Sequence, residues 1–152
     1  MLIALLLAVT AAPSFEPLRF FAGRTAGNGQ LKVIFRRRIP VSVVGSGKIE
    51  ADGSLTLDQV IAEGAKPPRV RRWRLRQVGP HRYAGSLTDA AGPVVATVDG
   101  RRLHIRFTTP SNFNVEQWLT LAPDGRSADN LLVARRFGVP VARLRERINK
   151  VD

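Results

Sequence analysis

His81 and His104 are the only imidazoles in the sequence, and each could pair with a carboxylate for acid–base chemistry. The candidate pairs are His81 with Asp89 and His104 with Glu116. Their spacing gives no evidence that the partners meet, and isolated histidines on strands are more often surface or hydrogen-bonded residues. We therefore name no catalytic residue. A barrel enzyme of the isomerase or hydrolase kind would need Asp89, His104 and Glu116 to converge inside the fold.

Other common catalytic arrangements are missing from the sequence. Gly45-Ser46-Gly47-Lys48 resembles a phosphate-binding loop, but Ser42 stands where that pattern requires glycine and Ile49 where it requires a hydroxyl. The chain has no cysteine and no Gly-x-Ser-x-Gly elbow, which excludes a thiol nucleophile and zinc sites built on thiolates. We expect no cofactor and no metal.

The charge of the chain is strongly positive and comes mostly from arginine. Lysine and arginine number 24 against 12 acidic residues, which gives a formal net charge of +12. Such a surface attracts anions, whether phosphate headgroups, lipopolysaccharide, nucleic acid or acidic proteins, and arginine binds phosphate and carboxylate in a bidentate way. The alternative is that arginines simply fill solvent-facing strand positions.

Aromatic residues at Trp73, Tyr83, Phe107, Phe113 and Trp118 could line an apolar cavity, with an arginine at its mouth to hold a carboxylate or phosphate. The alternative is that they only fill the core. Because the aromatics alternate away from the arginines, we expect no nucleic-acid partner. The ligand-binding candidates are Arg72, Trp73, Tyr83, Asp89, Glu116, Trp118, Asn130 and Arg136.

Short alternating segments broken by glycine, proline and Asp-Gly predict the elements that must position these residues. Residues 69–76 are the clearest case, with Trp73 and Leu75 on one face and arginines on the other. About ten such segments joined by tight turns predict an all-β, antiparallel up-and-down barrel of roughly eight to ten strands. Residues 141–148 could also form a helix, but the pattern favours a strand.

The start of the chain divides into two parts. Residues 1–12 are apolar and uncharged and read as a secretory signal helix, which leaves residues 13–152 as a single domain. Residues 15–21 predict a short helical plug at one end of the barrel, with Phe20 and Phe21 pointing into the core. After a bend at Gly23, Gly27 and Gly29, a strand is predicted from Gln30, with Leu31, Val33 and Phe35 on one face.

The sequence resembles the bacterial family known as domain of unknown function 3833, whose members are small envelope proteins, often lipoproteins, expected to form a lipocalin-like (calycin) barrel. The residues that carry the resemblance lie between Leu18 and Asn149: residues 20–29, 52–58 and 71–75, Tyr83-Ala84-Gly85 with Asp89 and Gly92, Glu116-Gln117-Trp118-Leu119, Asn130, and Phe137-Gly138. The lipobox cysteine of the family is missing here. The resemblance implies no established activity.

These observations predict an exported, periplasmic barrel that binds a small amphipathic or lipid-like anionic ligand without catalysis. The alternative is a cationic envelope adaptor that binds anionic lipid or an acidic partner protein. Without a lipobox cysteine, the protein would be free or held by charge at a membrane surface. The sequence leaves its oligomeric state open.

Overall fold

A computed structural model describes residues 13–152, which form a single antiparallel barrel with a short helix at one end. Turns that contain glycine or proline separate most of the strands, as predicted, and the loop of residues 34–38 is the exception among the described residues. The elements are α1 (Pro17–Phe20), β1 (Gly23–Val33), β2 (Ile39–Ile49), β3 (Leu55–Glu63), β4 (Arg69–Gly79), β5 (Arg82–Leu87), β6 (Val94–Asp99), β7 (Arg102–Thr108), β8 (Asn114–Leu121), β9 (Ser127–Arg136) and β10 (Val139–Lys150).

The sheet closes because β1 pairs with both β2 and β10. Each other strand pairs with its neighbours in sequence, so the ten strands follow the up-and-down order that was predicted. The closing pair is antiparallel and runs from Thr25 opposite Lys150 to Val33 opposite Ala142. Closure leaves no strand edge unpaired within the barrel. The residues 141–148 lie in β10, which confirms the strand interpretation.

Alternate side chains of each strand fill the barrel and form its core. The larger cluster includes Trp73, Leu75 and Tyr83, together with the phenylalanines near the start of the described residues. A smaller cluster contains Val41, Val43, Ile61 and Leu144. Outward positions carry most of the arginines, as alternation along a half-buried strand requires.

Residues 15–21 close one end of the barrel, as predicted. Phe15, Phe20 and Phe21 are buried, and the Phe15 amide donates a hydrogen bond to the carbonyl of Gly100. The Lys150 ammonium donates to the carbonyls of Phe20 (2.7 Å) and Ala22 (2.9 Å). These bonds tie the plug, residues 15–21, to the last residue of β10.

The first strand differs from its prediction at both ends. It begins at Gly23 rather than Gln30, because its glycines allow close contact with β10 and do not bend the chain away. A Cβ atom at Gly29 would lie 2.1 Å from the Arg145 carbonyl oxygen. The strand also ends at Val33, so that Phe35 lies at the tip of the loop to β2 and is 99% exposed.

The predicted signal helix, residues 1–12, lies outside the described residues. Within residues 13–152, no helix has the length and apolar character needed to cross a bilayer.

Candidate functional site

Five side chains that carry an amide or a charge lie at inward positions of the barrel, between apolar residues on the same strand faces. Four of them are buried and Arg71 is partly buried. Burying a polar group costs free energy unless the group is hydrogen-bonded, so a cluster of them in a small core suggests a functional role. We call it the polar layer, and it consists of Gln59, Arg71, Gln117, Asn130 and Glu146.

One half of the polar layer is built by β3 and β4. The Gln59 Oε1 atom accepts hydrogen bonds from Arg71 Nε at 2.6 Å and from Trp73 Nε1 at 2.8 Å. The Arg71 guanidinium also lies 5.7 Å from the centre of the Trp73 ring, within the range of a cation–π contact. Burial lowers the pKa of Arg71, while the charges of Asp89 and Glu146 act in the opposite direction. Arg71 is therefore a cation held inside the barrel with no acidic side chain within 4 Å among the described residues.

The other half comes from β8, β9 and β10. Asn130 Nδ2 donates to Gln117 Oε1 at 3.1 Å and to Glu146 Oε1 at 2.8 Å. Three atoms of this group, Gln117 Nε2, Asn130 Oδ1 and Glu146 Oε2, are buried and have no hydrogen-bond partner among residues 13–152. Gly27 makes room for the carboxylate, since a Cβ there would lie 2.8 Å from Glu146 Oε2. The layer thus holds one free donor and two free acceptors.

A cavity of about 40 Å³ lies between the polar layer and the plug. Its polar lining comes from Gln59, Arg71, Gln117 and Glu146. A space of this size holds one or two water molecules. Its apolar lining is formed by Pro17, Phe21, Leu55, Leu57, Trp73, Leu75, Leu103, Ile105, Leu119 and Ile148.

A second polar cluster lies on the outer face of β7, β8 and β9. His104 Nε2 and Glu116 Oε2 are 2.6 Å apart, and Arg135 Nη1 donates to Glu116 Oε1 at 3.0 Å. The His104 ring stacks on Trp118 with ring centroids 5.1 Å apart and an interplanar angle of 8°. His104 and Glu116 therefore do meet, but outside the barrel. Asp89 is elsewhere, paired with Arg69 at 2.8 Å, so the three titratable residues do not converge in the interior.

Trp118 also borders an open groove of about 680 Å³ on the outer wall. Three arginines line it, and one of them, Arg147, is paired with Asp129 at 3.0 Å. The groove has no apolar enclosure beyond Trp118 and Leu131, so it resembles a solvated cationic surface more than a ligand pocket.

The predicted ligand-binding residues divide between the two sides of the wall. Trp73, Tyr83 and Asn130 lie inside. Arg72 is on the outer face, where its hydrogen bonds to Asp58 lower the pKa of that carboxyl. The other candidates on the outer face or at the loops are Asp89, Glu116, Trp118 and Arg136.

Four members of the polar layer were not among the predicted residues, although the sequence contains a signal for each. Every one is a polar residue at an inward position of an alternating strand. Gln59 lies between Leu57 and Ile61, and Glu146 lies between Leu144 and Ile148. The other two are Gln117, between Val115 and Leu119, and Arg71, which shares its face with Trp73 and Leu75.

Within the described part of the chain, no group of three or more histidine, aspartate and glutamate side chains is placed to hold a metal ion.

The fold is similar to that of the S-type phycobiliprotein lyase CPES from Guillardia theta, with a TM-score of 0.71. The two chains share 7% sequence identity, and the match covers 89% of this chain and 90% of the lyase chain. At this identity the likeness establishes the fold alone, and it supports the lipocalin-like barrel.

Among curated proteins no sequence matches this chain. Residues 8–150 match the model of a family described as a protein of unknown function (DUF3833), as the resemblance predicted. Because that match spans nearly the whole chain, the protein belongs to this family.

Proposed function

We propose that the barrel binds a small amphipathic molecule in its interior, with the polar end of the ligand at the polar layer. The observation that supports this proposal is the set of unpartnered buried atoms on Gln117, Asn130 and Glu146. Two of these residues, Gln117 and Glu146, line the same cavity as Arg71. A folded chain that needed only stability would gain by replacing such groups with apolar residues. Their presence is typical of a site that a ligand completes.

The chemistry of the layer defines the class of ligand. Arg71 suits a carboxylate or phosphate oxygen, since a guanidinium donates to such groups in a charge-assisted way. The free oxygens of Asn130 and Glu146 suit a hydroxyl or amine donor on the same molecule. The leucines, Trp73 and Phe21 around the cavity suit its apolar part. The ligand is therefore a small anion with an apolar body and one further polar group.

The size of the cavity sets a condition on binding. About 40 Å³ is too little for any such molecule, so the interior must widen when the ligand binds. Pro17 and Phe21 line the cavity and belong to the plug, which is held to the barrel by its buried phenylalanines and by hydrogen bonds with Gly100 and Lys150. Displacement of the plug would widen the site at this end of the barrel.

The proposal is tested first on the purified protein as it is isolated. Native mass spectrometry should show a co-purifying mass, which organic extraction removes. In a second experiment, extracted protein with Trp118→Phe should take up a dansyl-labelled undecanoic acid in a saturable way, with energy transfer from Trp73, which is then its single tryptophan. A protein that carries no adduct and takes up no probe would contradict the proposal.

Neighbouring arginines on β4 provide a matched pair of variants. Arg71→Met should weaken probe binding at least about tenfold, because it removes the charge-assisted bond inside the barrel. Arg72→Met removes the same charge from the outer face of the same strand and should leave binding within about twofold. Equal losses in both variants would indicate adsorption to the cationic surface and would overturn an interior site.

A further inference from the structure

Two phenylalanines project into solvent from neighbouring loops at the end of the barrel opposite the plug. Phe35 is 99% exposed in the loop between β1 and β2, and Phe137 is 84% exposed in the loop between β9 and β10. The loops are adjacent because β1 pairs with β10, and the Ile34 amide donates to the Val141 carbonyl at 2.9 Å. Val70 and Val139 at the same end are 70% and 57% exposed.

Neither phenylalanine is explained by the packing of the barrel. Both have positive φ angles, 61° for Phe35 and 50° for Phe137, a left-handed conformation that is unfavourable for a bulky side chain. Glycine or asparagine would adopt it at lower cost. Among residues 13–152, the Phe35 ring makes no packing contact, and the Phe137 ring meets only the guanidinium of Arg136 beside it. A contact outside the chain would account for both rings.

The loops at this end also carry a net positive charge, unlike the loops at the plug end. Residues 34–38, 64–68, 88–93, 109–113 and 137–138 connect the strands here, and we call this set the basic rim. These loops contain four basic residues, Arg36, Arg37, Arg38 and Lys66, against the single acid Asp89.

Arg136, beside the rim, adds a further positive charge. It lies 5.2 Å from the Phe113 ring and 5.6 Å from the Phe137 ring, so that charge and aromatic surface meet at one place.

The opposite end has the opposite balance of charge. In the plug, in the loops beside it and at the C-terminus, acidic residues outnumber basic ones. The acidic residues are Glu16, Glu50, Asp52, Asp124 and Asp152, and the basic residues are Arg19, Arg101 and Arg126.

We propose that the basic rim docks on the surface of a bilayer that contains anionic phospholipid. Arginines bind the phosphates of the headgroups, and Phe35 and Phe137 insert their rings at the level where headgroups meet acyl chains. Charge attracts the rim to the bilayer and the aromatic rings hold it there, since anionic lipid and buried apolar area add in interfacial binding. The acidic plug end faces away from the membrane. This inference is independent of the interior ligand site.

The first test is sedimentation of the purified protein with vesicles at physiological salt. Vesicles of phosphatidylcholine and phosphatidylglycerol in equal parts should bind the protein, and vesicles of phosphatidylcholine alone should not. The variant Arg36→Gln/Arg37→Gln/Arg38→Gln should bind about fivefold more weakly for each arginine removed, the factor that corresponds to roughly 1 kcal/mol. Its control, Arg74→Gln/Arg76→Gln/Arg102→Gln, removes the same charge from the wall and should bind much as the parent does.

The aromatic contribution is tested with Phe35→Asn/Phe137→Asn. Asparagine accepts the left-handed conformation, so this variant should fold normally and bind at least about tenfold more weakly. Val78→Asn/Val151→Asn removes exposed apolar residues away from the rim and serves as the control. If both double variants lose vesicle binding equally, or if neither loses any, the two phenylalanines do not have this role.

Orientation is tested by single-site labelling, which is straightforward because the chain has no cysteine. An environment-sensitive fluorophore on Ser111→Cys, in the basic rim, should shift to the blue on anionic vesicles. The same fluorophore on Ala51→Cys, at the plug end, should not. A response at Ala51, or saturable binding of an acidic protein without any binding to vesicles, would overturn the proposal in favour of another surface or partner.

Discussion

Phe35 shows how a single residue can be poor for stability and still be retained. Its side chain is 99% exposed and therefore packs against nothing in the described part of the chain. Its φ of 61° is costly for an aromatic residue. We expect Phe35→Asn to raise the free energy of unfolding by about 0.5–1 kcal/mol, because asparagine tolerates this conformation. Urea denaturation followed by circular dichroism measures the change.

The control for this prediction is Arg37→Asn, a position in the same loop whose own φ is not positive. It should alter stability by less than about 0.5 kcal/mol. If Phe35→Asn destabilises the protein, the ring has a packing role within the chain. The position of Phe35 would then be explained without an external partner.

Residue by residue, sequence reasoning identified the apolar core better than the site. Trp73 and Tyr83 could be assigned to the interior because large apolar residues at alternating positions face inward. Arg71 and Glu146 could not, because charged residues are expected outside unless a specific partner holds them. Their partners, Gln59 and Asn130, come from other strands, so only the pairing register brings them together. Phe35 was placed on the face of Leu31 and Val33 because the alternation continues past the end of β1.

At the level of elements, the contact between β2 and the plug depends on glycine. A Cβ atom at Gly47 would lie 1.8 Å from the Phe21 carbonyl oxygen. Gly47→Ala should therefore push the plug off the barrel and cost roughly 2–3 kcal/mol. The measurements are thermal unfolding and faster hydrogen exchange of amides in residues 15–21.

Gly92→Ala is the matched control, since no atom lies within 4 Å of a Cβ built there and its φ is not in the left-handed region. It should change stability by less than about 0.5 kcal/mol. A Gly47→Ala protein with unchanged stability and unchanged exchange in residues 15–21 would show that this close contact does not hold the plug in place.

Most elements could be predicted because their turns and alternation are local properties. The hairpins at Asp52-Gly53 and Asp99-Gly100 lie where the turn residues indicate, and β10 is a strand because its inward positions hold Leu144, Glu146 and Ile148. The start of β1 was missed because its glycines indicate a bend by composition. Their real role, close approach to β10, depends on a strand far away in sequence.

For the whole molecule, the net charge of +12 makes salt a stabilising agent. Repulsion among like charges opposes the compact state, and salt at about 0.15 M screens it over roughly 8 Å. We expect the Tm to rise by about a few degrees between low and physiological ionic strength, as measured by calorimetry.

The variant Arg36→Gln/Arg37→Gln/Arg38→Gln should show a smaller rise, because it removes the densest run of charge in the basic rim. A Tm that falls with salt would mean that ion pairs such as Arg72–Asp58 and Arg147–Asp129 outweigh the repulsion.

The pairing of β1 with β10 also constrains the order of events during synthesis. Thr25 lies opposite Lys150, so the wall cannot close until the last strand has been made. The same residue, Lys150, bonds to the carbonyls of the plug, and the closed end is completed at that step as well. Until then, the free edges of the unfinished sheet can pair with other chains and cause aggregation. This risk is larger when the strands that must pair, here β1 and β10, are far apart in sequence. A nascent chain of this kind gains from being kept unfolded until β10 has been made.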